Sequence, residues 1–179
     1  MTAARPSRGA IEARYRETRL TALREAEAAA AATFTTPIRL TPIGPDALEA
    51  YRQQWESHSD RRYAWPWAGI VAGIRRDEPS RFEVAVWSND VLCGLAIGRT
   101  RMDYCRVDYL EASPNPDHPL KGRVAVVAAG AAIAYATTLG KNEVRLMNPL
   151  PAVVPHYLAL GFALANPTDA TQYCCWKIR

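Results

Sequence analysis

The chain is 179 residues long, 49% hydrophobic, and carries a formal charge of +4 from 22 basic and 18 acidic residues. That size and apolar content suit one globular domain with a real core. The basic residues are spread along the chain and never gather into a stripe, which argues against a nucleic-acid partner and for an anionic small molecule.

The segment from Arg8 to about Ala32 is dense in Ala, Glu and Arg, so intrinsic propensity predicts a helix. Its apolar face, Ile11, Tyr15, Leu20 and Leu23, is patchy. The helix is therefore read as an N-terminal extension, residues 1–34, which either packs on a second subunit as a homodimer or lies across its own domain. The same residues lack the apolar stretch of a secretory signal, and a cytoplasmic location is expected.

Residues 38–43 alternate as a first strand, and Gly44-Pro45-Asp46 opens a helix reaching about Ser57. A broken helical region runs from Tyr63 to about Arg76. Phe82–Trp87 and Val91–Thr100 are strand-like runs joined by Ser88-Asn89-Asp90, which is hairpin chemistry. Cys105–Ala112 extends this meander as far as the Ser113-Pro114-Asn115-Pro116 turn. After Gly122 a helix rich in alanine and valine runs to Leu139, where Gly140 supplies a stop. At sixteen residues, its apolar run from Val124 to Leu139 is too short for a membrane span, and no membrane partner is expected. Glu143–Met147 reads as a strand, 152–160 as a short helix, and 162–165 and 173–178 as final strands. Cys93, Cys105, Cys174 and Cys175 lie in apolar runs without metal spacing, so they are read as reduced core thiols and no metal is expected. The fold class is α/β in the α+β sense: a mixed, mainly antiparallel twisted sheet flanked by helices, with the extra N-terminal helix.

The order strand, turn, glycine, long helix, strand, short helix, followed by Tyr157-Leu158-Ala159-Leu160-Gly161-Phe162, resembles the GNAT superfamily of acetyl-coenzyme A-dependent acyltransferases. The resemblance spans residues 38–179, so 35–179 is read as the acetyltransferase domain. Its sharpest part is the hexapeptide, which looks like the Tyr-x-x-Leu-Gly-Phe signature. The resemblance implies acetyl-CoA as co-substrate and a small-molecule or peptide amine as acceptor. It places the diphosphate at the loop of Leu120, Lys121, Gly122, Arg123 and Val124. There a glycine at a helix start lets backbone N–H groups approach an anion. Pro119 and Val124 depart from the family pattern of that loop, in which only Gly122 fits.

The resemblance also implies that the strand ending at Ala112 splays from its neighbour, leaving Leu110 and Ala112 to pair with the pantetheine arm. An ordinary core strand fits the same residues. A departing thiolate needs an acid, for which Tyr157 is the candidate, and the incoming amine needs a base. Glu111 is favoured as base because it is nearest the loop, with Asp108 second and a water relay open. Strand alternation places the two carboxylates on opposite faces. Asn148 is the candidate polar ligand after the following strand. His58, Arg61, Arg62, Tyr63, Trp65 and Trp67 are candidates for the acceptor wall, although Trp65-Pro66-Trp67 serves equally as a core plug. Two functions follow: direct acetyl transfer to a primary amine in a ternary complex, or a catalytically inactive CoA-binding or protein-interaction module of the same fold.

Overall fold

The computed structural model describes residues 6–168 and 171–178. Helix α1 (Arg8–Thr33) precedes β1 (Arg39–Thr41), α2 (Pro45–Gln54) and α3 (Trp67–Asp77). The meander β2 (Phe82–Ser88), β3 (Val91–Thr100) and β4 (Tyr104–Ala112) follows. Then come α4 (Val124–Thr138), β5 (Glu143–Met147), α5 (Val154–Ala159), β6 (Ala163–Thr168) and β7 (Thr171–Lys177). Among the described residues the strands form one sheet in the order β1-β2-β3-β4-β5-β7-β6, in which only β4 and β5 run parallel. The crossover through α4 makes that parallel pair possible.

The sheet separates two cores. Under α1 and α4 lie Ala22, Leu23, Ala26, Val84, Val107, Ala132 and Leu146, among others. The opposite face buries Tyr51, Trp55, Trp67, Val71, Leu95 and Ile97 beneath α2 and α3.

Of the two placements open to α1, the structure shows the second: it lies across its own domain. The buried stripe is Arg19, Ala22, Leu23, Ala26 and Ala30, not the patchy face read from Ile11, Tyr15 and Leu20. Alanines at this spacing let α1 approach the alanine-rich α4 closely, and they carry little weight in an apolar count. Polar bonds fix the register. Arg19 donates to the carbonyls of Pro79 (2.8 Å) and Arg81 (3.2 Å) and to Glu12 (2.7 Å), while the Leu40 N–H donates to Glu27 (2.7 Å).

One irregularity matters for the site. Ile97 pairs with Tyr109 and Gly98 with Val107, so Asp108 is an extra residue, a β-bulge. Val107 belongs to the core under α4, and Tyr109 packs on the other core. The bulge therefore reverses which residues face which side. Gly98 is required opposite it, because a Cβ there would sit 1.9 Å from the Arg106 carbonyl oxygen.

Candidate functional site

Strand β4 pairs with β5 only from Tyr104 to Val107, and from Tyr109 to Ala112 its sole ladder partner is β3. The two parallel strands part at the bulge, leaving an open β4 edge that faces the end of β5. A cavity of about 410 Å³ fills the gap. Tyr63, Trp65, Arg99, Arg106, Asp108 and Tyr109 line one side; Met147, Asn148, Leu150, Val153 and Tyr157 line the other. Volume and lining are those of a small-molecule site. Trp65 meets Tyr109 edge to face at 5.3 Å.

The bulge overturns the expectation that Asp108 and Glu111 occupy opposite faces. Arg106, Asp108, Tyr109 and Glu111 all project away from α4, because the inserted residue shifts the alternation by one. The two carboxylates nonetheless have different surroundings. Glu111 is buried and accepts from Arg61 Nε (2.9 Å), Arg61 Nη2 (3.2 Å) and Trp67 Nε1 (2.6 Å). Arg61 goes on to donate to the Tyr51 hydroxyl (3.0 Å) and the Trp65 carbonyl (2.9 Å). Hydrogen bonding to Glu111 raises the Arg61 pKa above its ordinary value. Glu111 is absent from the cavity wall and instead ties the 61–67 segment to the sheet. Asp108 does line the cavity, where it accepts from Arg99 Nη1 (2.7 Å) and Arg106 Nε (2.5 Å).

Trp67 is fully buried core, whereas Trp65 lines the cavity, so the two tryptophans of the Trp-Pro-Trp run part company. The sequence reading missed Arg99 and Arg106. Their signal was positional: each lies next to a core position on a strand, and only the register shows that they are neighbours.

Tyr157 comes from α5, its ring packed near Phe162 (centroids 6.1 Å apart) and its side chain on the cavity wall. Burial pushes its hydroxyl pKa up to about 12, with a lesser push from Cys174. A phenol in that state keeps its proton at neutral pH, the form in which it can hydrogen-bond to a departing sulfur and share its proton as the carbon–sulfur bond breaks. Asn148 lines the cavity at a left-handed φ of 45°, and its N–H donates to the Gln172 carbonyl (2.8 Å). That turn carries the chain out of β5 towards α5.

The loop before α4 divides by role. Leu120 and Val124 bury their side chains in the core, so only their backbone is available. Gly122 is exposed at φ +74°, with open space where a Cβ would point. The Lys121 and Arg123 N–H groups donate to the carbonyls of His118 (3.1 Å) and Leu120 (2.9 Å). Among the described residues the N–H groups of Gly122, Val124, Ala125 and Val126 have no protein acceptor, as expected at a helix start. The Arg123 side chain rests on the Phe34 ring and donates to Thr36 Oγ1 (3.1 Å). Lys121 is exposed. Leu110 lines the cavity from the open edge, and Ala112 ends that edge, exposed.

None of the four cysteines is paired, and burial raises the Cys93, Cys105 and Cys174 thiols, Cys105 to about 12. Raised thiols are poor nucleophiles. No group of three or more His, Cys, Asp or Glu that could hold a metal is found among the described residues. No helix there is long and apolar enough to cross a membrane.

Comparison with solved structures places this architecture among known proteins. The ribosomal-protein alanine N-acetyltransferase of Escherichia coli superposes with a TM-score of 0.58 at 14% identity, over 79% of this chain and 94% of its own. The chain has the GNAT acetyltransferase fold. An acetyltransferase from Thermus thermophilus gives 0.58 at 12% identity over 79% and 97% of the two chains. Mutant forms of the spermidine/spermine N-acetyltransferase of Vibrio cholerae give 0.53 at 13% identity over 78% and 94%. No protein-family model matches the sequence, and no curated protein does. At these identities the GNAT likeness is one of fold.

Proposed function

We propose that this chain is an N-acetyltransferase that passes the acetyl group of acetyl-CoA directly to a primary amine while both are bound. One observation carries the reading: the unpaired β4 edge and the Tyr157 side chain share a single cavity. Backbone N–H and C=O groups from Tyr109 to Ala112 pair with the amides of the pantetheine arm, as an added strand would. The free N–H groups at Gly122 and the first turn of α4 take the diphosphate, helped by the positive end of the helix.

The amine enters past Tyr63 and Trp65. Its nitrogen must be neutral to attack the thioester carbonyl; Asp108, the one carboxylate on the cavity wall among the described residues, is bound by two guanidinium groups and orients the water that carries the proton off. Glu111 keeps Arg61, Trp67 and the Trp65 carbonyl in place and takes no part in proton transfer. As the carbon–sulfur bond breaks, Tyr157 gives its proton to the thiolate and is reprotonated from water. None of the four cysteines lines the cavity, which favours direct transfer over an acyl-enzyme.

Calorimetry with acetyl-CoA and free-thiol release across a panel of amines test the reading together. Micromolar binding with thiol release for at least one amine is expected. Binding without release for any amine would leave a CoA-binding module, and no binding would overturn the reading entirely.

A further inference from the structure

Arg99 on β3, Arg106 on β4 and Arg145 on β5 stand directly opposite one another in the sheet. Cys105, Val107, Val144 and Leu146 belong to the core under α4, so Arg106 and Arg145 project from the other face, where the cavity opens. Like charges placed opposite one another on neighbouring strands work against folding. The fold tolerates this row because each member has support. Asp108 bonds Arg99 and Arg106, Glu143 pairs with Arg145, and the rings of Tyr104 (3.7 Å) and Tyr173 (4.5 Å) sandwich the Arg145 guanidinium.

That support is incomplete where the row meets the cavity. The wall there holds two guanidinium groups and one carboxylate among the described residues. Each guanidinium offers five N–H donors. Asp108 engages Nη1 of Arg99 and the Nε and Nη2 atoms of Arg106. Glu78 lies 3.8 Å from Arg99 but also pairs with Arg101 at 3.0 Å. The depths differ too: the Asp108 side chain is 6% exposed, against 30% for Arg99 and 29% for Arg106. An entering molecule therefore meets the cations first, with the carboxylate sunk between them as a brace.

We infer that the acceptor amine carries an oxyanion, a carboxylate or a phosphate ester, and that Arg99 and Arg106 hold that group in the cavity. Paired guanidinium forks match the two oxygens of such a group, with the flat rings of Tyr63, Trp65 and Tyr109 walling the rest. A polyamine would bring further positive charge against the same wall. This inference rests on the acetyltransferase reading for the identity of the molecule, but binding alone tests it.

The experiment is calorimetric titration, with CoA present, of α-amino acids and dipeptides, each against its C-terminal amide. Phosphoethanolamine is compared with ethanolamine, and spermidine is included. At least one anionic amine is expected to bind tenfold or more tightly than its neutral counterpart, and the better pair identifies the oxyanion. Arg106→Gln should reduce that preference about tenfold, and Asp108→Asn should strengthen anion binding. The opposite signs keep the test meaningful if one variant folds poorly, and circular dichroism checks both. Equal binding of acid and amide in every pair, tighter binding of spermidine, or an Arg106→Gln protein with unchanged preference each overturns the inference. Failure of thiol release with anion preference intact would count against the acetyltransferase reading alone.

Discussion

At the proposed acceptor end of the cleft the working groups are side chains, Tyr63, Trp65, Arg99, Arg106 and Asp108, held by a bulge and a buried ion pair. At the α4 end the groups proposed for the diphosphate are main-chain amides around Gly122, while the Leu120 and Val124 side chains serve the core. The two ends tolerate change differently. Backbone donors survive most substitutions as long as the turn keeps its shape, which explains how the loop can depart from the family pattern at Pro119 and Val124 and still present N–H groups. A wall made of side chains has no such latitude, because its charges and rings are fixed by residue identity.

The largest expected effect lies behind the acceptor wall. Glu111→Ala leaves the Arg61 guanidinium and Trp67 Nε1 buried without their partner, and breaking such a pair costs about 3 kcal/mol. Urea denaturation reads this directly; a loss below ~1 kcal/mol would mean that the wall is not held by this pair. Tyr157→Phe comes next. Removal of the acid should lower kcat about 100-fold, with acetyl-CoA affinity changed less than about twofold. Steady-state kinetics with calorimetry separate the two, and unchanged turnover would remove Tyr157 from the chemistry.

Gly122→Ala probes the other end. The site has room for a methyl group, so the effect comes from the φ of +74° and should be about 1 kcal/mol. Distortion of the turn by that amount would weaken acetyl-CoA binding about fivefold while leaving acceptor binding alone. An equal effect at both ends would erase the distinction between them. The smallest effect is in pH. Because burial lifts Tyr157 to about 12, the alkaline loss of its proton-donating form falls near pH 12 and not near 10. The same raised pKa contributes stability that is complete below the ordinary tyrosine pKa of 10 and is lost as pH rises towards 12. A kinetic limb near 10 in the wild type, absent from Tyr157→Phe, would show an exposed phenol instead.

Legibility followed the range of the interactions. The hairpin about Asn89 was readable because turn chemistry is local; β3 and β5 run from Val91 to Thr100 and from Glu143 to Met147, as their patterns predicted. The splay was an expectation of family resemblance, and the register shows it at Val107. The positions of the carboxylates were not readable, because one inserted residue at Asp108 reverses every face beyond it. Nor was the arginine row, whose members lie on three strands and become neighbours only through pairing. The burial of α1 was hidden by its alanines, which pack closely while adding little to an apolar periodicity.

The sequence by itself determined the order and type of most strands, turns and helices and marked Gly122, since these depend on backbone preferences and short-range patterns, and family resemblance marked the Tyr157 hexapeptide. Only the tertiary structure decided that Glu111 is bound to Arg61 and Trp67, that Asp108 shares a cavity with Tyr157, and that three arginines line up across the sheet. Those facts depend on strand register and on one bulge, set by contacts between residues far apart in the chain. Such contacts leave no local trace in the order of residues.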